Sequence, residues 1–143
     1  MLNTRIFALC ILAILLTFSL TSCKKKNETE TPAMKIGLVT GIGNLFDKGF
    51  NQQAYEAVIE AAKNVGGTWE VKVSTSATDI ENNIKYFTDN QFDVIVTLGY
   101  DAADATLAAA NSFPQTRFML LDYSPGNLPS NLLCTVFAVD QAA

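Results

Sequence analysis

Beyond residue 34 the spacing of apolar and polar positions changes several times, and each change predicts a new element. The run "KIGLVT" (35–40) is short and apolar, as a buried strand is, and Phe50, Ala54, Ala57, Val58, Ala61 and Val65 then fall on one helical face. The glycine pair at 66–67 ends that helix, and "TWEVKVS" (68–74) alternates with the two-residue period of a strand that has one exposed face, at a sheet edge. "TDIE" (78–81) reads as a capping box with Thr78 as N-cap and Glu81 three residues on, opening a helix whose stripe is Ile80, Ile84 and Phe87. "FDVIVTL" (92–98) is a continuous apolar run, the mark of a central parallel strand covered on both faces. An alanine-rich helix (101–113) follows, Pro114 closes it, and "RFMLL" (117–121) and "NLLCTVFAV" (131–139) are the last two strands.

Strands that alternate with helices across short gaps imply parallel pairing through right-handed crossovers. The fold class is therefore α/β, a doubly wound and mostly parallel sheet. With strand order 2-1-3-4-5 a ligand sits at the carboxyl ends of strands one and three, where the order reverses. A fifth strand with no covering helix leaves one sheet face partly bare.

The first 23 residues follow another pattern: an early cation, Arg5, an apolar stretch from Ile6 to Leu20, then small residues up to Cys23. That is a secretory signal, and its apolar stretch falls short of the roughly 20 residues of a membrane span. "LTSC" resembles the bacterial lipobox, which places lipid on Cys23 and the rest of the chain outside the cytoplasm, anchored to the cell membrane or the outer membrane. The polar "KKKNETETPA" (24–33) is then a disordered tether, and residues 34–143 form the ligand-binding lobe.

Composition narrows the chemistry. Setting Arg5 aside, nine Lys and Arg stand against fourteen Asp and Glu beyond Cys23, a net charge of −5 that argues against nucleic acid as a partner. The chain has no histidine, which removes imidazole catalysis and nearly every zinc site, so neither a metal nor a cofactor is expected. With Cys10 in the signal and Cys23 lipidated, the folded part keeps Cys134 alone, read as a buried strand residue.

The loop "GIGNLFDKGFN" (41–51) begins like a dinucleotide fingerprint, but Phe46 stands where the third glycine belongs and no acid closes the second strand. It has no Walker lysine either. It brings Asp47, Phe50 and Asn51 to a helix start, where a carboxylate and a carboxamide can bond the edge of a heterocycle and an aromatic ring can stack on its face. Each residue has a plainer reading: Asp47 as helix cap, Phe50 as core, Asn51 as a solvated amide. On the same edge Gly99 permits close approach, Tyr100 offers a ring and a hydroxyl, and Asp101, Asp104 and Asp122 offer carboxylates. For these acids the alternatives are another N-cap, a first-turn acid favoured by the helix dipole, and a loop acid.

"FDKGFNQQAYEA" (46–57) resembles the D-D-K-S-F-N-x-x-A-x-E-G signature of the basic membrane protein family, the purine-nucleoside-receptor-like substrate-binding lipoproteins of bacterial ABC importers. "FDVIVTLGYDAADATLAAANSFPQTRFMLLD" and "NLLCTVFAVDQAA" are similar, in order, to later stretches of that family. The resemblance implies one lobe of a type I periplasmic-binding-protein fold, with the ligand clamped between two lobes. It implies base contacts from Asp47 and Asn51, stacking on Phe50, and a second ligand loop at Gly99, Tyr100 and Asp101 with the carboxylate on the ribose. The partners it implies are a purine nucleoside (adenosine, guanosine or inosine) and an ABC permease. Phe46 replaces the first acid of the signature and Gly49 its serine. Family members are more than twice as long, so this chain reads as the first part of one, truncated. The function expected is solute binding and not catalysis; the alternatives are an extracytoplasmic receptor or interaction module with no nucleoside cleft, and a non-functional fragment.

Overall fold

The computed structural model describes residues 33–138; the signal, Cys23 and nearly all of the tether lie outside the described residues, as do positions 139–143. Five strands, β1 (Lys35–Ile42), β2 (Thr68–Ser74), β3 (Val94–Leu98), β4 (Arg117–Leu121) and β5 (Leu132–Thr135), form one sheet in the order β2-β1-β3-β4-β5. Every pairing is parallel. The crossovers carry helices α1 (Phe50–Asn64), α2 (Ala77–Asp89) and α3 (Ala103–Ser112), the last preceded by a 3-10 turn at Tyr100–Ala102.

The two faces of the sheet hold separate cores. Under α2 and α3, Phe87, Ile80 and Ile84 pack on Val39, Ile95, Phe118 and Leu120. The Phe87 ring lies directly over Gly37, where an added Cβ would stand 2.7 Å from it, so only glycine lets the helix sit this close. Within this layer the hydroxyls of Thr97 and Thr106 pair at 2.8 Å, and Thr106 also donates to the carbonyl of Ala102, which satisfies both buried groups. On the opposite face, among the described residues, α1 alone presses Ala54, Val58 and Ala62 onto Ile36, Leu38, Val96 and Leu98. Past α1 that face is thinly covered: Met119 and Leu121 are half-buried and Leu133 is 59% exposed.

Several expected boundaries move. The buried line of α1 is Asn51, Ala54, Val58 and Ala62, whereas Ala57, Ala61 and Val65 are exposed. Alanine is too small to choose a side strongly, so the apolar stripe left this rotation open. Helix α2 starts earlier than "TDIE" suggested: Ser76 is its N-cap and accepts from Asp79 N–H, while the Asp79 carboxylate takes both the N–H and the hydroxyl of Thr75. Strand β3 begins at Val94, because Phe92 turns into the core against the Phe87 ring at 4.6 Å. Strand β5 has four residues in place of nine: Thr135 pairs with Leu121, the end of β4, so Val136 has no β4 residue to pair with. Asn131 is an anchor before the strand, its amide reaching the carbonyls of Ala110, Phe113 and Thr116 at 2.9–3.1 Å. Cys134 is half-buried on β5, and desolvation pushes its thiol above the usual range.

Candidate functional site

The crossover after β1 leads to β2 and the one after β3 leads to β4, in opposite directions along the sheet. The chain therefore parts at the carboxyl ends of these neighbouring strands, which is where such sheets open a crevice. Two loops meet there.

The first runs from Gly43, at φ +143°, into α1. Gly49, the formal N-cap, has no side chain to satisfy the first-turn N–H groups, and Asp47 does so from two residues back. Its carboxylate accepts from the N–H of Gly49 at 2.7 Å and from those of Asn51 and Gln52 at 3.3 Å each. The Gly49 bond leads in holding this carboxyl below its usual range; desolvation opposes it, and the Gln52 and Asn51 bonds add to the lowering. The capping reading of Asp47 is thus realised, yet the residue stays exposed and retains lone pairs for a ligand.

Asn51 is not the solvated amide of the plainer reading: it is 6% exposed, and its Nδ2 donates to the carbonyl of Asn44 at 3.2 Å, tying the helix to the loop above it. Asn44 in turn accepts from Phe46 N–H through Oδ1, and Gln52 accepts from Lys48 N–H. Neither Asn44 nor Gln52 stood out in the sequence, because single amides in a polar loop have no spacing signal. Phe50 is half-buried, and its ring meets that of Phe137 edge-on with centroids 6.3 Å apart. That partner lies far along the chain, beyond any local pattern. Phe46 projects into solvent, edge-on to Tyr55 at 6.2 Å.

The second loop is held differently. Gly99 adopts φ +75°, ψ 175°, and its N–H donates to the carbonyl of Leu121 at 2.8 Å, joining the β3 and β4 ends. Tyr100 is 72% exposed, and Asp101 is exposed beside it. No side chain caps either the 3-10 turn or α3, so the N-cap alternative for Asp101 is not realised. Asp104 lines a groove of about 410 Å³ between α2 and α3, with Glu81, Lys85 and Ala108. Asp122 ends the β4 edge at φ +63° and is exposed. The edge thus gathers Asp47, Asp101 and Asp122 with aromatic rings, a surface suited to hydroxyls and N–H groups and hostile to phosphate.

Residues 34–143 match the family model described as ABC transporter substrate-binding protein PnrA-like. Basic membrane protein B of Borreliella burgdorferi is 31% identical over 134 residues, which are 87% of this chain and 39% of that protein. The ABC transporter nucleoside-binding protein BmpA of Lactococcus lactis is 25% identical over 148 residues, covering 97% of this chain and 42% of that protein. Among solved structures, an ABC transporter solute-binding protein from Conexibacter woesei superposes with a TM-score of 0.60 at 28% identity, over 71% of this chain and 34% of that one. The chain thus spans about two-fifths of the length of the curated relatives it matches. A parallel sheet with its polar edge at the switch point, and a family match over the whole of that sheet, agree: the chain belongs to the PnrA-like family of ABC transporter substrate-binding proteins.

Proposed function

We propose that this chain forms one wall of a purine-nucleoside site in a lipoprotein anchored through Cys23 to the cell membrane or outer membrane, which hands its ligand to an ABC permease. The observation that carries the reading is the grouping of Asp47, Phe50 and Asn51 around the first turn of α1 at the switch point. A relative named as nucleoside-binding supports the ligand class. In this reading the base stacks on the open face of Phe50, Asp47 accepts from its N–H groups, and the amide of Asn51 bonds its edge. Asp101 takes the ribose hydroxyls, and Gly99 lets the sugar approach the backbone beside Tyr100. Asp122 closes the polar rim. A second lobe would cover the ligand's other side, since small-molecule sites bury about 70–90% of their ligand.

Titration calorimetry with adenosine, guanosine and inosine on the two-lobed protein tests this. Phe50→Ala weakens binding by about 1–3 kcal/mol, the scale of one aromatic–base stack. A folded variant whose affinity stays within twofold of the parent returns Phe50 to a core role and removes the stacking geometry.

A further inference from the structure

Among the described residues, strand β2 is the free edge of the sheet on the α1–α2 side. The N–H of Thr68 donates to the carbonyl of Met34 at 2.8 Å, so the even-numbered residues of β2 turn their backbone groups toward β1. Trp69, Val71 and Val73 consequently direct their N–H and C=O groups outward, and among the described residues the one bond to these groups is from Asn83 Nδ2 to the carbonyl of Val73 at 3.2 Å. Trp69 and Val73 are 40% and 44% exposed, an apolar pair on the α1 face of an open edge. On the α2 face Glu70 and Lys72 form an ion pair at 3.0 Å, with the Lys72 Nζ 3.7 Å from the centroid of the Tyr86 ring and the Tyr86 hydroxyl donating to Glu70 at 3.3 Å.

The geometry points to a second copy of this chain as the occupant of that edge, its β2 antiparallel to the first about a two-fold axis at Val71. In that register Val71 meets its own copy as a hydrogen-bonded pair, and Trp69 lies opposite Val73 of the second copy, an aromatic–β-branched pair. Glu70 then faces Lys72 of the second copy across a non-hydrogen-bonded site, where side chains come closest. Moving the axis one residue either way sets Glu70 against Glu70, or Lys72 against Lys72, so the charges select one register. The helices allow it. Both α1 and α2 pack across β1 and β2, one on each face, so each lies about two strand spacings, roughly 10 Å, from its two-fold mate. That is the separation at which helices pack, about 8–10 Å. The outcome is one sheet running through both copies, with both carboxyl edges free.

Sedimentation velocity on the full chain in a mild non-ionic detergent, over a concentration series, tests the pairing. The parent chain dimerises reversibly, and Glu70→Lys or Lys72→Glu each weakens the dimer about tenfold or more by opposing like charges. An equimolar mixture of the two variants recovers association as a heterodimer, because the two lysines on β2 of the first variant then face the two glutamates on β2 of the second. Val71→Pro removes an outward N–H that β1 does not use, and yields a folded monomer by circular dichroism. A parent chain that stays monomeric, a dimer indifferent to these substitutions, or a mixture no more associated than its separate components overturns the inference.

Discussion

The two loops at the carboxyl edge keep their shapes by different means. Between Gly43 and Gln52 side chains do the holding: Asp47 ties the first turn of α1, Asn51 reaches back to Asn44, and Gln52 holds Lys48. Between Gly99 and Asp104 the backbone does it, through a left-handed glycine and its bond to Leu121, and no side chain caps the turn. In the first loop, therefore, a polar residue proposed to face the ligand also supports the fold, and one substitution is expected to disturb both. In the second the carboxylate of Asp101 has no structural task among the described residues, so it is available to a ligand at no cost to stability.

Four measurements test that contrast. Asn51→Ala has the largest expected effect: leaving the Asn44 carbonyl short of its donor and emptying a buried site lowers stability by roughly 1–3 kcal/mol. Nucleoside affinity falls with it. Denaturant unfolding beside calorimetry reads the two, and an unchanged midpoint would show that the Asn51–Asn44 bond does not hold the loop. Gly99→Ala follows, at about 1–2 kcal/mol; an added Cβ meets nothing within 4 Å, so the cost is backbone strain at φ +75° alone. Thermal melts are sufficient there, and a neutral result would mean the turn relaxes freely.

Asp101→Asn is smaller in stability and decisive in function. The melting temperature stays put while affinity for nucleosides falls about tenfold, the scale of one charge-assisted hydrogen bond. A parallel drop in melting temperature would erase the distinction between the loops. The smallest effect is the pH dependence of Asp47. Backbone N–H groups hold its carboxyl below the usual carboxylate range, so its contribution to stability is fully present above the unfolded pKa. That contribution disappears as pH falls through the lower, folded value. In acid melts of the parent chain and Asp47→Ala, the gap between them is widest near neutrality and closes only below the unfolded pKa; a gap that closed well above it would contradict the capping geometry.

Much of this arrangement was legible in the chain. The strands are short and, apart from the alternating β2, largely apolar, and the punctuation between elements, such as Gly66–Gly67 and Pro114, is local and chemically unambiguous. The carboxyl-edge residues could be listed too, because order 2-1-3-4-5 converts strand ends into a switch point. What stayed hidden was which acids act as caps. Asp47 and Asp101 both precede or open a helix in the sequence, and only the path of each loop decides whether a carboxylate reaches a backbone N–H.

By itself the sequence determined the element types, their alternation and hence the parallel sheet, since period and turn chemistry act over a few residues. Tertiary structure decided the rest. The length of β5 follows from where β4 ends, the rotation of α1 from how four residues seat on the sheet, and the ring beside Phe50 from a residue more than eighty positions away. Each of these depends on contacts between segments distant in the chain, and local propensity does not encode such contacts because alanine, valine and phenylalanine satisfy it equally well on either side of an element.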